Sequence, residues 1–285
     1  MRDFTVKKYK HLLQEMLDKE FRFMNVQQAL SDKNIYSQNK IAIVRHDIDT
    51  KHDLLIALEM ARFESQNNIS ASYYFRTIPD VFNKNIIKAI FYLGHEIGYH
   101  YEVLALTDGD FHAGIELFEK DVKALRDICP ISTICQHGGT LGPYSSTSIS
   151  GLIKTGFALL SNKINMNYHP SIQLWEKYKL EDFDLTGDAY LSFDFEKIKY
   201  FSDTGLSWDS HGTRIVDNVS EGENQNLKAH TTDDLITLID QDKINSINLL
   251  VHPANWNDPI LKWLEWRTLQ SVRNISKKIL KRKKK

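Results

Sequence analysis

The chain has 285 residues, a formal net charge of −1 and 42% hydrophobic residues, a composition typical of globular proteins that gives no reason to expect a nucleic-acid partner. Two cysteines, Cys129 and Cys135, are too few for a disulfide framework. The charged N-terminus lacks the apolar core of a signal peptide, and no stretch approaches the roughly 18 apolar residues of a membrane span. These features predict a cytoplasmic protein.

In chain order, residues 4–24 have apolar side chains at helical spacing, which predicts an amphipathic helix. Short apolar runs then alternate with helical patterns, as in a parallel α/β sheet. The predicted strands are 41–44, 71–75, 96–99, 131–135, 157–160, 198–201 and 247–251. The predicted helices are 52–64, 83–93, 113–125, 146–154, 232–239 and 260–280. Residues 163–197 fit neither pattern, so we expect a long excursion above the sheet.

Seven candidate strands predict an α/β fold with a (β/α)7 barrel, slightly smaller than the common eight-stranded form. The sequence has no repeat and no linker, which favours a single domain over residues 1–285. We expect an N-terminal helical extension at 1–40, the barrel at 41–256, and a C-terminal helix with a basic tail at 257–285. The tail is either a solvated helix end or a contact with anionic lipid, an acidic partner or RNA.

Acidic residues and histidines follow several of the predicted strands. Because the carboxyl ends of parallel strands open onto one face, these side chains should converge there. The set is Asp47, Asp49, His100, His137, Asp203 and His252. Asp47 and Asp49 point the same way on an extended strand, and two such carboxylates repel each other unless a cation or proton separates them.

A mixed histidine and aspartate set with one open position is typical of a catalytic metal. It suits zinc, with nickel, cobalt or iron as alternatives. Two neighbouring histidines are expected to lie outside this set. His46 should face away from the carboxylates, either as a support for a ligand or as a core residue. His95 precedes His100 by five residues and should occupy the opposite face, as a turn or packing residue.

Four motifs in these segments resemble those of the polysaccharide deacetylases, also called the NodB-homology family or carbohydrate esterase family 4. They are Arg-His-Asp-Ile-Asp (45–49), Gly-His-Glu-Ile-Gly-Tyr-His (94–100), Ser-Asp-Thr-Gly-Leu-Ser-Trp (202–208) and Leu-Leu-Val-His-Pro (249–253). The resemblance covers residues 41–256. It implies a distorted (β/α)7 barrel of the glycoside hydrolase/deacetylase type. It also implies metal-dependent hydrolysis of N-acetyl groups on amino sugars.

The resemblance also implies roles for individual residues. Asp47 corresponds to the general base, and Asp49 and His100 correspond to metal ligands. His252 corresponds to the histidine that protonates the leaving amine, and Asp203 to the residue that orients it.

Three departures distinguish this chain from the family pattern, and one of them is that the usual arginine-and-proline motif is replaced near Gln136-His137-Gly138-Gly139. Ile48 separates the two aspartates, which are adjacent in the family. Leu104 occupies the position of the usual second metal histidine, four residues after the first. His137 is predicted to supply the third ligand, with Glu102 as the alternative.

The expected substrate is an amino sugar in a surface-glycan precursor, from which the protein would remove an N-acyl group, with N-acetyl favoured. Aromatic rings near strand ends can stack on sugars. The candidate substrate-binding residues are Arg76, Tyr101, Trp208 and Trp256. Two alternatives stay open: another C–N or amide hydrolase on the same barrel, and a metal-free glycan-binding protein. A glycosidase is disfavoured because neighbouring carboxylates on one strand are too close for its geometry.

Overall fold

The sheet and its helices are visible in a computed structural model of the chain, which describes residues 2–138, 172–209 and 227–283. The described strands are β1 (Arg22–Met24), β2 (Ile41–Ile48), β3 (Ser72–Phe75), β4 (Glu96–Tyr101), β5 (Thr133–Gln136), β6 (Gly187–Asp188), β7 (Lys199–Ser202) and β8 (Ser246–Val251). The described helices are α1 (Val6–Asp18), α2 (Val26–Ser31), α3 (Asp53–Gln66), α4 (Lys84–Tyr92), α5 (Val103–Leu106), α6 (Phe111–Arg126), α7 (Thr232–Asp240) and α8 (Ile260–Lys283).

Parallel pairing joins these strands in the order β6-β5-β4-β3-β2-β8-β7, and β1 adds to the beginning of β2. The sheet curls into a half-barrel, so the prediction of an α/β fold with a seven-stranded barrel is confirmed. Helices α3, α4 and α6 follow β2, β3 and β4, as parallel connections require. All described carboxyl ends therefore lie at the same edge.

The two faces of the sheet differ in chemistry because side chains alternate along each strand. On the outer face, Val44, Tyr73 and Ile97 pack in the main core with helix residues such as Phe118. The inner face mixes apolar and polar groups. Its buried polar residues include Arg45, Asp47, Ser72, Glu96, His100, Thr133 and Asn248. The barrel interior is therefore built to hold polar side chains beneath the carboxyl edge.

The predicted helix over residues 4–24 is too long. Thr5 caps α1 by accepting a hydrogen bond from the backbone of Lys8, and the helix ends at Asp18. Glu20 then adopts a left-handed backbone (φ 62°), which a helix cannot continue through. The chain enters β1, which pairs in parallel with the first residues of β2. The N-terminal extension therefore contributes a strand as well as helices.

The long excursion predicted at 163–197 contains a short strand, β6, which pairs with Thr133 and Ile134 of β5. The predicted helix at 146–154 and strand at 157–160 lie outside the described residues. Along the described parts of the chain, none of the helices has the length and apolar character needed to cross a membrane.

Gly98 lies on the inner face of β4, opposite Tyr74 in the register. A Cβ atom at this position would lie 2.2 Å from Cε1 of the Tyr74 ring. The ring cannot move easily, because it is buried and its hydroxyl is 2.7 Å from Thr133 Oγ1. The absence of a side chain at residue 98 is therefore required by packing.

We predict that Gly98→Ala lowers the free energy of unfolding by about 1–3 kcal/mol, the usual cost of overpacking a core. Urea denaturation followed by circular dichroism measures this loss. Gly138→Ala is the control, because a Cβ there meets nothing within 4 Å. Equal stability of the two variants would contradict the packing argument.

Candidate metal centre

The carboxyl edge brings three donor side chains from β2, β4 and β5 to one point. Asp49 directly follows β2, His100 lies near the end of β4, and His137 directly follows β5. Asp49 Oδ1 is 3.2 Å from His100 Nε2 and 3.6 Å from His137 Nε2. One donor atom from each of the three residues lies within 4.8 Å of the other two. Ligands of a tetrahedral zinc ion are separated by about 3.3 Å, so the described side chains suit a cation of this kind.

A backbone carbonyl and a carboxylate fix the orientation of the two imidazoles. His100 Nδ1 is 3.0 Å from the carbonyl oxygen of Cys135, which can only accept a hydrogen bond. His137 Nδ1 is 3.0 Å from Glu102 Oε2. Both Nδ1 atoms therefore carry a proton, and both Nε2 atoms face Asp49, where a neutral imidazole would direct its lone pair. This is the usual arrangement of metal-binding histidines.

Asp49 supplies a further sign that a cation fits here. Its Oδ1 atom is buried and accepts no hydrogen bond. An unsatisfied buried carboxylate oxygen is costly in free energy, and a bound cation would remove that cost. Burial raises the pKa of Asp49, but His137, His100 and His252 outweigh burial and hold the pKa well below its usual range. The carboxylate is therefore ionised at neutral pH.

Glu102, the alternative third ligand, faces His137 instead of acting as a separate donor. Arg76 donates from Nε to Glu102 Oε1 at 2.8 Å and from Nη1 to the carbonyl oxygen of Asp49 at 2.7 Å. Burial raises the pKa of Glu102, but His137 and Arg76 lower it to about 2. Arg76 was a candidate for substrate binding, but in the structure it links the backbone of Asp49 to the carboxylate that orients His137.

Asp47 approaches the imidazole of His100 from inside the barrel. Asp47 Oδ2 is 3.5 Å from His100 Nε2, and its Oδ1 is 3.2 Å from Arg45 Nε. Asp47, His100 and Cys135 form a second set of donor atoms that are close enough for a cation. All three of these residues are buried. The set that includes Asp49 and His137 is more accessible and is the one that a substrate can approach.

Asp203 holds His252 at the opposite side of the centre. Asp203 Oδ1 is 2.6 Å from His252 Nδ1, and Oδ2 accepts from the backbone of His252 at 2.9 Å and from Trp256 Nε1 at 2.8 Å. His252 Nε2 is 3.8 Å from Asp49 Oδ2. The imidazole therefore presents Nε2 to the centre, as a proton donor would.

Electrostatics favours the protonated form of His252. Burial lowers its pKa, but the charges of Asp203, Asp49 and Asp47 raise it to about 10. A cation held by Asp49 would oppose this upward shift. The hydrogen bond to Asp203 would remain, because Asp203 contacts the other ring nitrogen.

The three aromatic residues expected to bind a substrate are buried instead. Trp208 and Trp256 are 1% and 0% exposed and pack against Phe4. Trp256 serves as a hydrogen-bond donor to Asp203, and Trp208 Nε1 donates to Thr232 at 3.1 Å. Tyr101 is also buried, and its hydroxyl accepts from Trp175 Nε1 at 2.9 Å. None of these rings offers a free face to a sugar, so we do not assign them a stacking role.

The sequence did not point to Glu64, whose carboxylate lies close to both His46 and His95 on the outer face of the sheet. His46 Nε2 is 2.8 Å from Glu64 Oε1, and Tyr73 donates to Oε2 at 2.6 Å. His95 Nδ1 is 3.7 Å from the same carboxylate. Burial raises the pKa of Glu64, but His46 and His95 lower it to about 2. His46 and His95 therefore belong to a buried polar cluster outside the metal centre, as their positions on the strands predicted.

No protein-family model matches the chain, and no curated protein matches it. One similar solved structure is the family 4 carbohydrate esterase from Streptomyces lividans in complex with acetate. The alignment covers 81% of this chain and 86% of that chain, at 12% identity and a TM-score of 0.35. The likeness is distant.

We predict that Glu102→Gln weakens zinc binding by about 10- to 100-fold, as is usual when a residue that orients a ligand is changed. The amide cannot match the charge with which Glu102 binds His137 and Arg76. Competition with a chromogenic chelator measures the Kd. Glu59→Gln is the control, since Glu59 is an exposed residue paired with Lys10. An unchanged Kd in Glu102→Gln would contradict the orienting role.

Proposed function

We propose that the protein is a metal-dependent hydrolase that removes an N-acyl group, in the first instance N-acetyl, from an amino sugar of a surface-glycan precursor. One observation carries this proposal: the Asp49, His100 and His137 donor set is approached by a second carboxylate and by a histidine paired with Asp203. A structural metal site needs only the donors. The two additional groups are what acid–base chemistry requires.

Zinc is the cation we favour, and Asp49, His100 and His137 would hold it. When bound, such a cation polarises an acyl carbonyl and makes water a better nucleophile. Asp47 is placed to accept the proton of the attacking water, because its carboxylate lies 3.5 Å from His100 Nε2, beside the donor set. Arg45, paired with Asp47, fixes the direction of that carboxylate.

His252 is placed to complete the reaction at the nitrogen. Cleavage of an amide requires a proton on the departing nitrogen, because an amide anion is a very poor leaving group. Asp203, which contacts the other ring nitrogen, raises the pKa of His252 and so favours a proton on the imidazole. Asp203 holds Nδ1, so the proton that leaves is the one on Nε2, which faces the centre.

The amino-sugar substrate is supported by the four motifs that resemble the polysaccharide deacetylases and occur in the family's order. The same donors and acid–base groups would also serve another amide hydrolase, and substrate profiling distinguishes the two. A metal-free glycan-binding protein is disfavoured, because His137 offers a third donor where Leu104 cannot. The absence of an exposed aromatic ring among the described candidates also gives no support to a simple sugar-binding role.

We predict that the purified full chain contains about one equivalent of a divalent metal and releases acetate from N-acetylated amino-sugar oligosaccharides. Asp49→Ala should lose both the metal and the activity, because it removes a central donor. Elemental analysis and an enzymatic acetate assay measure the two effects. Asp240→Asn, at an exposed aspartate near the end of α7, is the control.

Two outcomes would count against this assignment. Full metal content in Asp49→Ala would remove Asp49 from the ligand set. A wild-type protein that binds no metal and releases no acetate would contradict the hydrolase proposal itself.

The pairing of Asp203 with His252 gives a separate prediction about pH. Asp203 raises the pKa of His252, and the reaction needs His252 protonated. Asp203→Asn should therefore lower the pKa of His252, and the alkaline limb of the rate profile should move to lower pH. At neutral pH, kcat should fall by about 10²- to 10⁴-fold if the general acid is largely lost. The profile of kcat against pH for both proteins measures the shift, and an unmoved alkaline limb would contradict the assignment.

A further inference from the structure

Helix α8 packs against the loops that carry part of the candidate metal centre. Trp266 Nε1 donates to Asn255 Oδ1 at 2.8 Å, and Asn274 Nδ2 donates to the carbonyl oxygen of Gly205 at 2.9 Å. Leu269, between them, is buried. Asn255 also donates to the carbonyl oxygen of Asp203 at 3.1 Å. One side of α8 is thus fixed to the loops that follow β7 and β8.

The other side of α8 exposes large apolar side chains. Leu261 is 78% exposed, and Ile260, Leu264 and Ile275 are each about half exposed or more. At 100° per residue these four positions fall within an arc of about 100°. The exposed residues Thr268 and Ser271 lie in the same arc. We call this set the α8 stripe, and it covers about four turns of the helix.

Charge in this chain is strongly segregated. Residues 260–285 contain ten lysine and arginine residues and one acidic residue, Glu265, for a formal net charge of +9. The whole chain has a net charge of −1, so residues 1–259 have a net charge of −10. The apolar α8 stripe therefore belongs to the basic segment of an otherwise acidic protein.

These observations identify the kind of partner. A second copy of the chain would bring together two segments (residues 260–285) of charge +9 each, which repel each other. Nucleic acid would match the charge, but it offers nothing to cover isoleucine and leucine side chains. An anionic lipid surface satisfies both, because apolar side chains insert at the acyl boundary while lysine and arginine contact the headgroups.

We propose that α8 is an amphipathic docking helix that binds the surface of an anionic membrane through the α8 stripe. This surface is independent of the proposed chemistry at the metal centre. In the docked state the loops that bear Asp203 and His252 would lie about one helix diameter, roughly 10 Å, from the headgroups.

Sedimentation of the full chain with lipid vesicles tests the proposal. The protein should bind vesicles of phosphatidylcholine mixed with phosphatidylglycerol at least about tenfold more tightly than vesicles of phosphatidylcholine alone. Raising the NaCl concentration from about 0.1 M to about 0.5 M should weaken this binding, because salt screens exposed charges. Equal binding to the two kinds of vesicle, or no binding to either, would overturn the proposal.

Variants locate the contact. Leu261→Ser combined with Leu264→Ser should reduce binding to the mixed vesicles by about tenfold or more, since it removes two inserted side chains. The matched control is Tyr92→Ser combined with Leu191→Ser, two exposed apolar residues elsewhere in the chain. The control should bind as the wild type does, and both variants should keep the wild-type circular dichroism spectrum. An equal loss in the two double variants would overturn the assignment to α8.

Two further measurements address the other occupants. Analytical ultracentrifugation that shows a dimer dissociated by Leu261→Ser and Leu264→Ser would place a second copy on the stripe and overturn the proposal. Tight binding of a single-stranded RNA oligonucleotide that displaces the protein from vesicles, unaffected by the two serine substitutions, would assign the basic segment to nucleic acid. If the protein is a monomer and does not bind the RNA, the result supports an anionic membrane as the partner of the α8 stripe. Metal content is measured in a separate experiment. A protein that does not bind vesicles would therefore contradict the membrane proposal without affecting the proposed metal centre.

Discussion

The candidate centre depends on the carboxylate of Asp49, which lies among the imidazoles of three histidines. A carboxylate in this position strongly favours positive charge nearby, whether a proton or a metal ion supplies it. Each imidazole is oriented by a different acceptor: the Cys135 carbonyl for His100, Glu102 for His137 and Asp203 for His252. Because all three acceptors contact Nδ1, all three Nε2 atoms face the same space.

A second buried carboxylate keeps the strand behind this centre in place. Glu64 of α3 binds His46 of β2 and Tyr73 of β3, and it also accepts from Tyr9 of α1. His46 lies between Arg45 and Asp47 in sequence, so anchoring its side chain on the outer face fixes the inward direction of both neighbours. The polar cluster on the outer face thus determines the geometry on the inner face.

The sequence predicted those features that depend on alternation and on strand direction. Six of the seven predicted strands have counterparts in the described structure, and the grouping of Asp49 with His100 and His137 follows from parallel pairing alone. The strands β1 and β6 were missed, because three and two residues carry no periodic signal and their pairing depends on tertiary register. The burial of Trp208 and Trp256 was also missed, because a sequence does not reveal which side of a loop an aromatic ring packs on.

Leucine at residue 104, where the motifs that this chain resembles have a histidine, shows why ligand sets are less predictable than folds. Leu104 is buried in the main core, and its side chain packs where Gly114 of α6 leaves room. An imidazole at that position would lack the apolar contacts that leucine makes there. A cation binds wherever its donor atoms are correctly placed, whatever their order in the chain. A histidine that follows the neighbouring strand can therefore supply the third donor that Leu104 cannot. His137 is the proposed donor, and Glu102, two residues before Leu104, contacts its Nδ1 atom.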